Sequence, residues 1–253
     1  MKSKIKEQIH FEKNEMSEIP LHYTMPESID NWRHTRMLDT INEIINYSKE
    51  NEKNSTNTWV TVGDGRYGDN ANYLFEKGLN DVIATSITED NLKYAKENKY
   101  IKDYKIENAE NLSFEDKTID FILCKESYHH FPRPTIALYE MMRVAKQAII
   151  LIEPFDDNKL LNFFKRFIKF LIRGKGQSDL VFESSGNFLY RISVKEFKKT
   201  LAAIGGYNFA LKGINDFYIS KFESKSIKTK NIASLITKFA IYFQNILSKI
   251  NLL

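Results

Sequence analysis

The chain has 253 residues, of which 42% are hydrophobic and 13% aromatic, and its formal net charge at pH 7 is +4. A sequence of this length and apolar content can bury one large core, or a core with a modest subdomain, so disorder over most of the chain is excluded. Its 37 basic and 33 acidic residues are too evenly balanced for a nucleic-acid-binding protein, in which a concentrated basic face is expected.

The cysteine and histidine content favours neither a disulfide framework nor a metal centre. Cys124 is the only cysteine, so it cannot form a disulfide within the chain. The five histidines show no metal-ligand spacing, and we expect no metal. The first fifteen residues lack the apolar core of a signal peptide, and no run of 18 apolar residues predicts a membrane span. These features predict a protein of the reducing cytoplasm.

In chain order, a helical lead-in at residues 25–47 precedes a long alternation of strand and helix patterns. Strands are expected at 58–62, 82–86, 105–107, 119–124 and 148–153, and helices around 69–77, 89–98 and 134–145. This alternation predicts an α/β fold, with a parallel sheet and helices on both faces. Two further strands, at 208–211 and 217–222, would make the sheet seven-stranded and mostly parallel.

Helix caps and apolar periodicity define the C-terminal part of the chain. Ser193 and Glu196 form a capping box that predicts a helix start. Residues 232–250 form a final amphipathic helix, in which five apolar side chains are available for burial. These side chains are Leu235, Phe239, Ile241, Phe243 and Ile246.

The strongest local signal is a glycine pattern directly after the first strand. Gly63, Gly65 and Gly68 form G-x-G-x-x-G between an apolar strand and a helix. Glycines let the backbone turn sharply and approach a ligand closely. The pattern suits a dinucleotide pyrophosphate at the helix N-terminus, the amino-acid and ribose portions of a methyl-donor cofactor, or a tight turn with no ligand.

The next two strand ends bear on nucleoside binding. The second strand ends at Ser86, where nucleoside-binding folds usually place an acid that binds the ribose hydroxyls. Glu89 or Asp90 at the following helix start can substitute for it. The third strand leads into residues 108–112, where a side-chain amide can contact an adenine edge, with a surface turn as the alternative.

Polar side chains are concentrated beyond the end of the fourth strand. They are Lys125, Glu126, Tyr128, His129, His130 and Arg133. Ligands in open α/β sheets bind beyond the carboxyl ends of the strands, so acid–base groups there face the reaction. Histidine suits a general base at neutral pH. We expect one of the two histidines to be structural and the other to face the pocket, with Glu126 either orienting a histidine or simply solvated.

At these residues the chain resembles the class I S-adenosylmethionine-dependent methyltransferases, over residues 59–154. The glycine loop, the second strand end, the segment Asn108-Ala109-Glu110 and the segment His129-His130-Phe131 occur in the family's order and spacing. The resemblance implies a Rossmann-like sheet and S-adenosylmethionine as cofactor. Residues 119–134 are also similar to methyltransferases of bacterial surface-polysaccharide clusters, which implies a hydroxyl of a sugar or nucleotide sugar as acceptor.

The resemblance also assigns expected roles by position. Gly63, Asp64 and Gly65, in the loop completed by Gly68, would contact the methionine end of the cofactor. Ser86 and Ile87 would contact the ribose and adenine, Asn108, Ala109 and Glu110 the adenine, and Lys125 the back of the glycine loop. Lys125 has Glu126 or Asp64 as alternative partners. His129, His130 and Glu126 are the candidate catalytic residues.

The segment after the fifth strand breaks the alternation with an insertion. Residues 159–175 form a basic amphipathic pattern, which predicts a lid helix over the acceptor pocket, a contact with a second subunit in a homodimer, or attachment to the inner face of an anionic membrane. Phe188, Tyr190 and Arg191, with Tyr128 and Arg133, are expected to bind the acceptor, and Phe182, Glu183 and Asn187 to line the same side. The predicted parts are a helical lead-in (1–57), a cofactor-binding core (58–154), an insertion or lid (155–192) and a C-terminal part (193–253).

Two other functions compete with methyl transfer. The first is a catalytically silent Rossmann-like subunit, motivated by Ser86 in place of the ribose acid. The second is an NAD-dependent oxidoreductase, which would use the same glycine turn but should carry an acid at position 86 and a recognisable hydride-transfer set. For the enzyme, we expect a small-molecule acceptor and no nucleic-acid partner.

Overall fold

The computed structural model describes residues 2–15, 18–51, 57–154, 188–205 and 208–249. The chain divides into two compact units. The first contains Met1–Pro20, Leu38–Pro154 and Leu180–Ile192, and the second contains Leu21–Met37, Phe155–Asp179 and Ser193–Leu253. No helix within the described ranges is long and apolar enough to cross a membrane.

A parallel five-stranded sheet forms the centre of the first unit, with strand order β3-β2-β1-β4-β5. Its strands are β1 (Trp59–Val62), β2 (Val82–Ser86), β3 (Asp103–Ile106), β4 (Ile119–Lys125) and β5 (Ala145–Ile152). The helices of this unit are α1 (Lys2–Glu15), α4 (Asn42–Glu50), α5 (Asp69–Glu76), α6 (Asp90–Glu97) and α7 (Pro134–Val144), and short 3₁₀ helices span Asp39–Ile41 and Tyr128–His130.

The central strands are apolar because helices cover both faces of a parallel sheet. Every residue of β1 is buried, and the rings of Trp59 and Phe121 stack across β1 and β4 with centroids 4.6 Å apart. The chain runs from β1 to β2 and β3 on one side and returns to β4 and β5 on the other. A ligand crevice is expected where this order reverses, beyond the carboxyl ends of β1 and β4.

The second unit contains α2 (Leu21–Thr24), α3 (Ile29–Leu38, whose last residue belongs to the first unit), α8 (Val194–Ala203), a 3₁₀ turn (Ser220–Phe222) and α9 (Ile232–Lys249). Ile29, Ile227 and Ala233 form a buried apolar cluster. The buried Arg33 guanidinium donates to Asp216 and to Glu223. Burial raises the pKa of Glu223 to about 7, against the opposing effect of the Arg33 charge.

The structure confirms the α/β alternation but corrects the predicted strand number, since the described residues hold five strands and not seven. Residues 208–219 have no regular secondary structure, and the predicted strand at 217–222 ends in a 3₁₀ turn. A β-pattern becomes a strand only beside a partner that completes its hydrogen bonds. These residues belong to the second unit, whose described part contains no strand.

A second correction concerns the side chains of α9. Of its five predicted core residues, only Ile241 is buried, while Leu235, Phe239, Phe243 and Ile246 are exposed. The helix is amphipathic, but its small and polar residues Ala233, Ser234 and Thr237 face inward. Periodicity identifies the faces of a helix, but the neighbouring element decides which face it covers.

Candidate functional site

The glycine loop needs its glycines at two positions for different reasons. Gly63 has φ +74°, and a Cβ there would lie 2.7 Å from the Ser127 Cβ atom, so the loop can pass the end of β4 only without a side chain. Gly68 has φ +68°, and a Cβ there would lie 2.7 Å from the Ile101 Cγ2 atom. The glycine at position 63 therefore allows the loop to pass close to the end of β4 at the crevice, whereas the glycine at position 68 allows the start of α5 to pack against Ile101.

Asp64 turns its side chain into the protein and caps α5. Its carboxylate accepts hydrogen bonds from the backbone N–H of Asn70 and Ala71, at 3.1 and 2.9 Å, and from the Thr61 hydroxyl at 2.7 Å. The N-cap residue Gly68 has no side chain, so Asp64 supplies the missing acceptor. Burial raises the pKa of Asp64 to about 6. The Asp64 side chain thus points away from the cavity, and the predicted contact of this residue with the methionine end stays a prediction.

This cap also distinguishes between the two cofactor classes. A dinucleotide pyrophosphate would need the N–H groups at the start of α5. The Asp64 carboxylate already accepts from two of those groups, and Asp69 adds another acid in the first turn. A second anion would meet like charge and occupied donors, which argues against NAD.

One cavity unites most of the predicted cofactor residues. It lies beyond the carboxyl ends of β1, β2 and β3 and has a volume of ≈ 20 Å³. Gly63, Ser86, Ile87, Asn108, Ala109 and Glu110 all line it, together with Val62, Thr85, Glu107, Phe131, Pro132 and the α1 residues Ile5, Gln8 and Glu12. The carboxyl-end crevice expected from the strand order is thus present, and α1 forms one of its walls.

Glu12 is a site residue that the sequence did not reveal. One of its carboxylate oxygens, Oε2, accepts from the Ser86 hydroxyl at 2.6 Å and from the Thr88 hydroxyl at 2.9 Å. The residue is only 7% exposed, and burial raises its pKa above the ordinary value. The predicted substitutes Glu89 and Asp90 do not line the cavity. No local pattern could identify Glu12, because it lies 74 residues from Ser86.

At the end of β3, the predicted adenine residues form an ordered turn. The Asn108 side chain accepts from the backbone N–H of Glu110 at 3.0 Å. The Glu110 carboxylate in turn accepts from the backbone N–H of Arg133 at 2.7 Å and from its guanidinium Nε at 2.8 Å. Glu110 and Arg133, predicted to bind adenine and acceptor respectively, therefore join the two loops that border the cavity.

Lys125 and Glu126 pair with each other at the end of β4. The Lys125 ammonium lies 2.9 Å from the Glu126 carboxylate, and Lys125 is buried. This pairing is one of the alternatives that the sequence left open, and neither residue lines the cavity. The carboxylate beside His129 Nδ1 is that of Glu153 and not that of Glu126.

Glu153, directly after β5, is the carboxylate that contacts His129. Its Oε2 atom lies 2.5 Å from the His129 Nδ1 atom, and its Oε1 atom accepts from the backbone N–H of Ser127 and of Tyr128, each at 2.9 Å. An acceptor-only carboxylate favours a proton on Nδ1, which leaves Nε2 as the basic nitrogen. The sequence feature that could have identified Glu153 as a site residue is its position at the carboxyl end of β5, the strand beside β4.

The two histidines differ in their surroundings. Their ring centroids are 4.0 Å apart. His129 is buried and bound to Glu153, whereas His130 is half-buried. Neither histidine lines the cavity, but the following residues Phe131 and Pro132 do.

The structure brings only some of the predicted acceptor-binding residues close to one another. The buried Tyr128 ring meets the Tyr190 ring edge-on, with centroids 6.4 Å apart, and the Tyr190 N–H donates to the His129 carbonyl at 2.9 Å. Phe188 and Arg191 are exposed. The remaining predicted acceptor-side residues, Phe182, Glu183 and Asn187, and the predicted lid helix lie outside the described residues. Among the described residues predicted to bind the acceptor, Tyr128 and Tyr190 contact each other.

The residues around the cavity fit S-adenosylmethionine chemically. At Gly63, which lines the cavity, the loop backbone borders the crevice without a side chain, which suits the methionine end of the cofactor. The Glu12 carboxylate suits a ribose diol, and the turn at 108–110 suits an adenine edge. Among the described residues, no group of three or more His, Cys, Asp or Glu side chains could hold a metal ion.

Several solved structures are similar to this chain. A solved SAM-dependent methyltransferase from Methanosarcina mazei matches with TM-score 0.50 and 20% identity, over 69% of this chain and 90% of that chain. The YcgJ protein from Bacillus subtilis matches with TM-score 0.47 and 20% identity, over 67% and 68%. The PH0226 protein from Pyrococcus horikoshii matches with TM-score 0.47 and 17% identity, over 74% and 90%. None of the curated proteins matches the chain.

The family comparison identifies the sheet-bearing segment. A family model described as a methyltransferase domain matches residues 60–152, which run from β1 through β5. The likeness to the M. mazei structure supports the same fold. Residues 60–152 are therefore similar to a methyltransferase domain and have a Rossmann-like α/β fold, and the cofactor that this family implies is S-adenosylmethionine.

Proposed function

We propose that the protein transfers a methyl group from S-adenosylmethionine to a hydroxyl of a small-molecule acceptor, with His129 as the general base. The observation that carries this proposal is the contact between the His129 Nδ1 atom and Glu153 at the carboxyl ends of β4 and β5. An alcohol is a poor nucleophile, so its methylation needs a base, whereas an amine or thiolate does not. A buried, oriented imidazole therefore favours O-methylation.

In the proposed mechanism, each group of site residues has its own role. The bound cofactor supplies an electrophilic methyl group. Gly63 and Gly65 accommodate its methionine end, and the turn at 108–110 accommodates its adenine. Glu153 holds the proton on His129 Nδ1, so Nε2 accepts the proton of the acceptor hydroxyl while the oxygen attacks. The Glu153 carboxylate then stabilises the imidazolium that forms.

The acceptor class that we propose is a sugar or nucleotide sugar. It rests on the similarity of residues 119–134 to methyltransferases of surface-polysaccharide clusters. The aromatic pair Tyr128 and Tyr190 supports a ring-shaped acceptor, since the backbone N–H of Tyr190 donates to the His129 carbonyl and holds the pair beside the histidine segment. Arg191, which is exposed, is proposed to pair with a substrate phosphate. The predicted homodimer remains a prediction.

A silent cofactor-binding subunit is the second candidate function, because one observation favours it. The cavity of ≈ 20 Å³ has room for about one water, whereas pockets for ligands of drug size have volumes of about 300–1,000 Å³. The helix α1 must therefore move before the cofactor can bind, and a subunit whose α1 closes again over the cofactor before an acceptor enters would bind the cofactor without turnover.

The test combines calorimetry with an acceptor screen. We expect S-adenosylmethionine and S-adenosylhomocysteine to bind and NAD not to bind. With a panel of sugars and nucleotide sugars, methyl transfer should fall about 10²–10⁴-fold in His129→Ala, with cofactor affinity unchanged. His130→Ala is the matched control and should retain most of the rate. Equal loss of rate and affinity in His129→Ala would contradict the base, and binding without transfer to any acceptor would favour the silent subunit.

A further inference from the structure

Glu12 lies where the ribose of a bound nucleoside is expected. In folds of this kind an acid at the end of the second strand binds the ribose hydroxyls, and β2 ends instead at Ser86. The Glu12 Oε2 atom is 2.6 Å from the Ser86 hydroxyl and only 2.9 Å from the position that a Cβ on Gly65 would take. A carboxylate from α1 thus occupies the space between the glycine loop and the end of β2.

The partners of Glu12 resemble the groups of a ribose. Two hydroxyl donors, from Ser86 and Thr88, point at one carboxylate oxygen. The two hydroxyls of a ribose are donors of the same kind, and a carboxylate can accept several of them. If the ribose hydroxyls replaced the side-chain hydroxyls, the Glu12 carboxylate would keep its hydrogen bonds. It needs them because a buried charge without hydrogen-bond partners is unfavourable.

We propose that Glu12 is the ribose-binding acid of this protein, supplied by α1 in place of the missing acid at Ser86. The proposal rests on the proposed cofactor function. In this arrangement α1 carries a binding group and also closes the cleft. The helix opens to admit the cofactor, and Glu12 then exchanges the hydroxyls of Ser86 and Thr88 for those of the ribose.

Calorimetry with S-adenosylhomocysteine tests the role of Glu12 without turnover. Glu12→Gln should weaken binding about 10–100-fold, because hydrogen bonds to a charged group contribute about 1.5–3 kcal/mol. It should also abolish the preference for S-adenosylhomocysteine over its 2′-deoxyribose analogue. Glu7→Gln, on the same helix, is the matched control and should change the affinity less than twofold, because its partner is Lys4 at the surface. Thermal unfolding verifies that both variants fold.

Moving the acid from position 12 to position 86 gives a second, independent test of cofactor affinity. Ser86→Asp alone should weaken binding, because it places a carboxylate against Glu12. The double variant Glu12→Gln with Ser86→Asp should regain much of the lost affinity, since one acid again faces the ribose. Tighter binding in Glu12→Gln would show that Glu12 competes with the cofactor and would overturn the proposal. Unchanged affinity would overturn it as well, whereas no binding by the wild-type protein would refute the cofactor assignment itself.

A separate observation concerns α9 in the second unit. Its outward face is apolar along the whole helix, and Ile232, Leu235, Ile236, Phe239, Tyr242 and Phe243 are each at least 40% exposed. The opposite face is anchored, since Ala233 joins the buried cluster with Ile29 and the Ser234 hydroxyl donates to the Thr229 carbonyl at 2.7 Å. A contiguous exposed apolar face marks an interaction surface.

The charge of this part of the chain favours one occupant. From Ser224 onward there are five lysines and no acidic residue. Lys228 pairs with Glu27 and Lys238 donates to the Ile227 carbonyl, while Lys225, Lys230 and Lys249 are exposed. A second copy of the helix would bring lysines against lysines, whereas an anionic lipid surface complements them. We infer that α9 lies flat on an anionic membrane, with its aromatic side chains in the interfacial region. Its inward face is packed against protein, so the helix lies on the bilayer and does not cross it.

Co-sedimentation of the full chain with vesicles tests this surface. Binding is expected to phosphatidylcholine vesicles that contain phosphatidylglycerol, to fall with salt, and to be weak with phosphatidylcholine alone. Phe239→Ser with Phe243→Ser should reduce binding at least tenfold, since each buried aromatic contributes about 1.5–3 kcal/mol. Tyr47→Ser with Tyr139→Ser, two exposed aromatics of the first unit, is the matched control and should bind like wild type.

Three outcomes would overturn the lipid surface. The first is that the wild-type protein does not bind anionic vesicles. The second is that the control pair loses as much vesicle binding as Phe239→Ser with Phe243→Ser. The third is that the wild-type protein is a dimer, which Phe239→Ser with Phe243→Ser converts to a monomer without any effect on vesicle binding. The last outcome would assign this face to a second copy of the chain. Light scattering of the same samples measures the oligomeric state.

Discussion

The Nδ1 atom of His129 lies 2.5 Å from Glu153, across the carboxyl ends of two neighbouring strands. The other oxygen of the same carboxylate accepts two backbone N–H groups, so the side chain cannot turn away without losing both hydrogen bonds. This arrangement fixes the orientation of the imidazole ring. It also determines which ring nitrogen carries the proton.

We therefore predict a tautomer change in Glu153→Gln. The backbone N–H groups of Ser127 and Tyr128 would hold the amide oxygen, which leaves the amide NH₂ facing His129 Nδ1. Nδ1 must then accept, and the proton moves to Nε2, which can no longer act as a base. Nitrogen-15 NMR of the histidines should show protonated Nδ1 in the wild-type protein and protonated Nε2 in the variant. A wild-type ring with its proton on Nε2 would contradict the proposed base.

Asp64→Asn should change how stability depends on pH. Burial raises the pKa of Asp64 from 3.8 to about 6, so the folded state binds a proton in this range that the unfolded state has lost. The contribution of this group is therefore present at low pH and is lost as pH rises from about 4 to 6. The difference between wild type and variant should shift by about 3 kcal/mol across that window. Urea unfolding at several pH values measures it.

The control for this prediction is Asp90→Asn. Asp90 also lies in the first turn of a helix, but its side chain is 73% exposed. The free energy of unfolding of Asp90→Asn should depend on pH in the same way as that of the wild-type protein. Parallel curves for Asp64→Asn and wild type would show that Asp64 is not desolvated as the structure describes.

Gly68→Ala should destabilise the first unit by about 2–4 kcal/mol. The substitution places a Cβ at φ +68° and 2.7 Å from the Ile101 Cγ2 atom, which combines backbone strain with overpacking. Gly213→Ala is the matched control, because a Cβ there meets nothing within 4 Å, and it should change stability by no more than about 0.5 kcal/mol. Similar unfolding midpoints for the two variants would refute the close approach of α5 to Ile101.

The Arg133–Glu110 pair predicts an asymmetric mutational response. The Glu110 side chain is 3% exposed, whereas that of Arg133 is 37% exposed. Arg133→Ala leaves a buried carboxylate without its cation and should cost about 1–3 kcal/mol. Glu110→Gln leaves a cation that water can reach and should cost less. A double-mutant cycle by chemical unfolding measures the coupling, and additive effects would contradict the bridge between the two loops.

The sequence by itself determined the order of strands and helices and the position of the glycine loop. Apolar runs of strand length, helical periodicity and glycines after β1 are local properties, and they predicted β2 at its observed bounds and the other four strands to within three residues. The family resemblance named the cofactor residues, and the structure brings six of them together in one cavity.

Only the tertiary structure decided which distant side chains meet. Glu12 contacts Ser86 because α1 covers the ends of the strands, and Glu153 contacts His129 because β5 pairs with β4. The burial of α9 was likewise decided by its neighbours, which cover its small residues and leave its aromatic residues exposed. Periodicity along a chain specifies faces and ends, whereas strand order and packing specify the partners that those faces and ends meet.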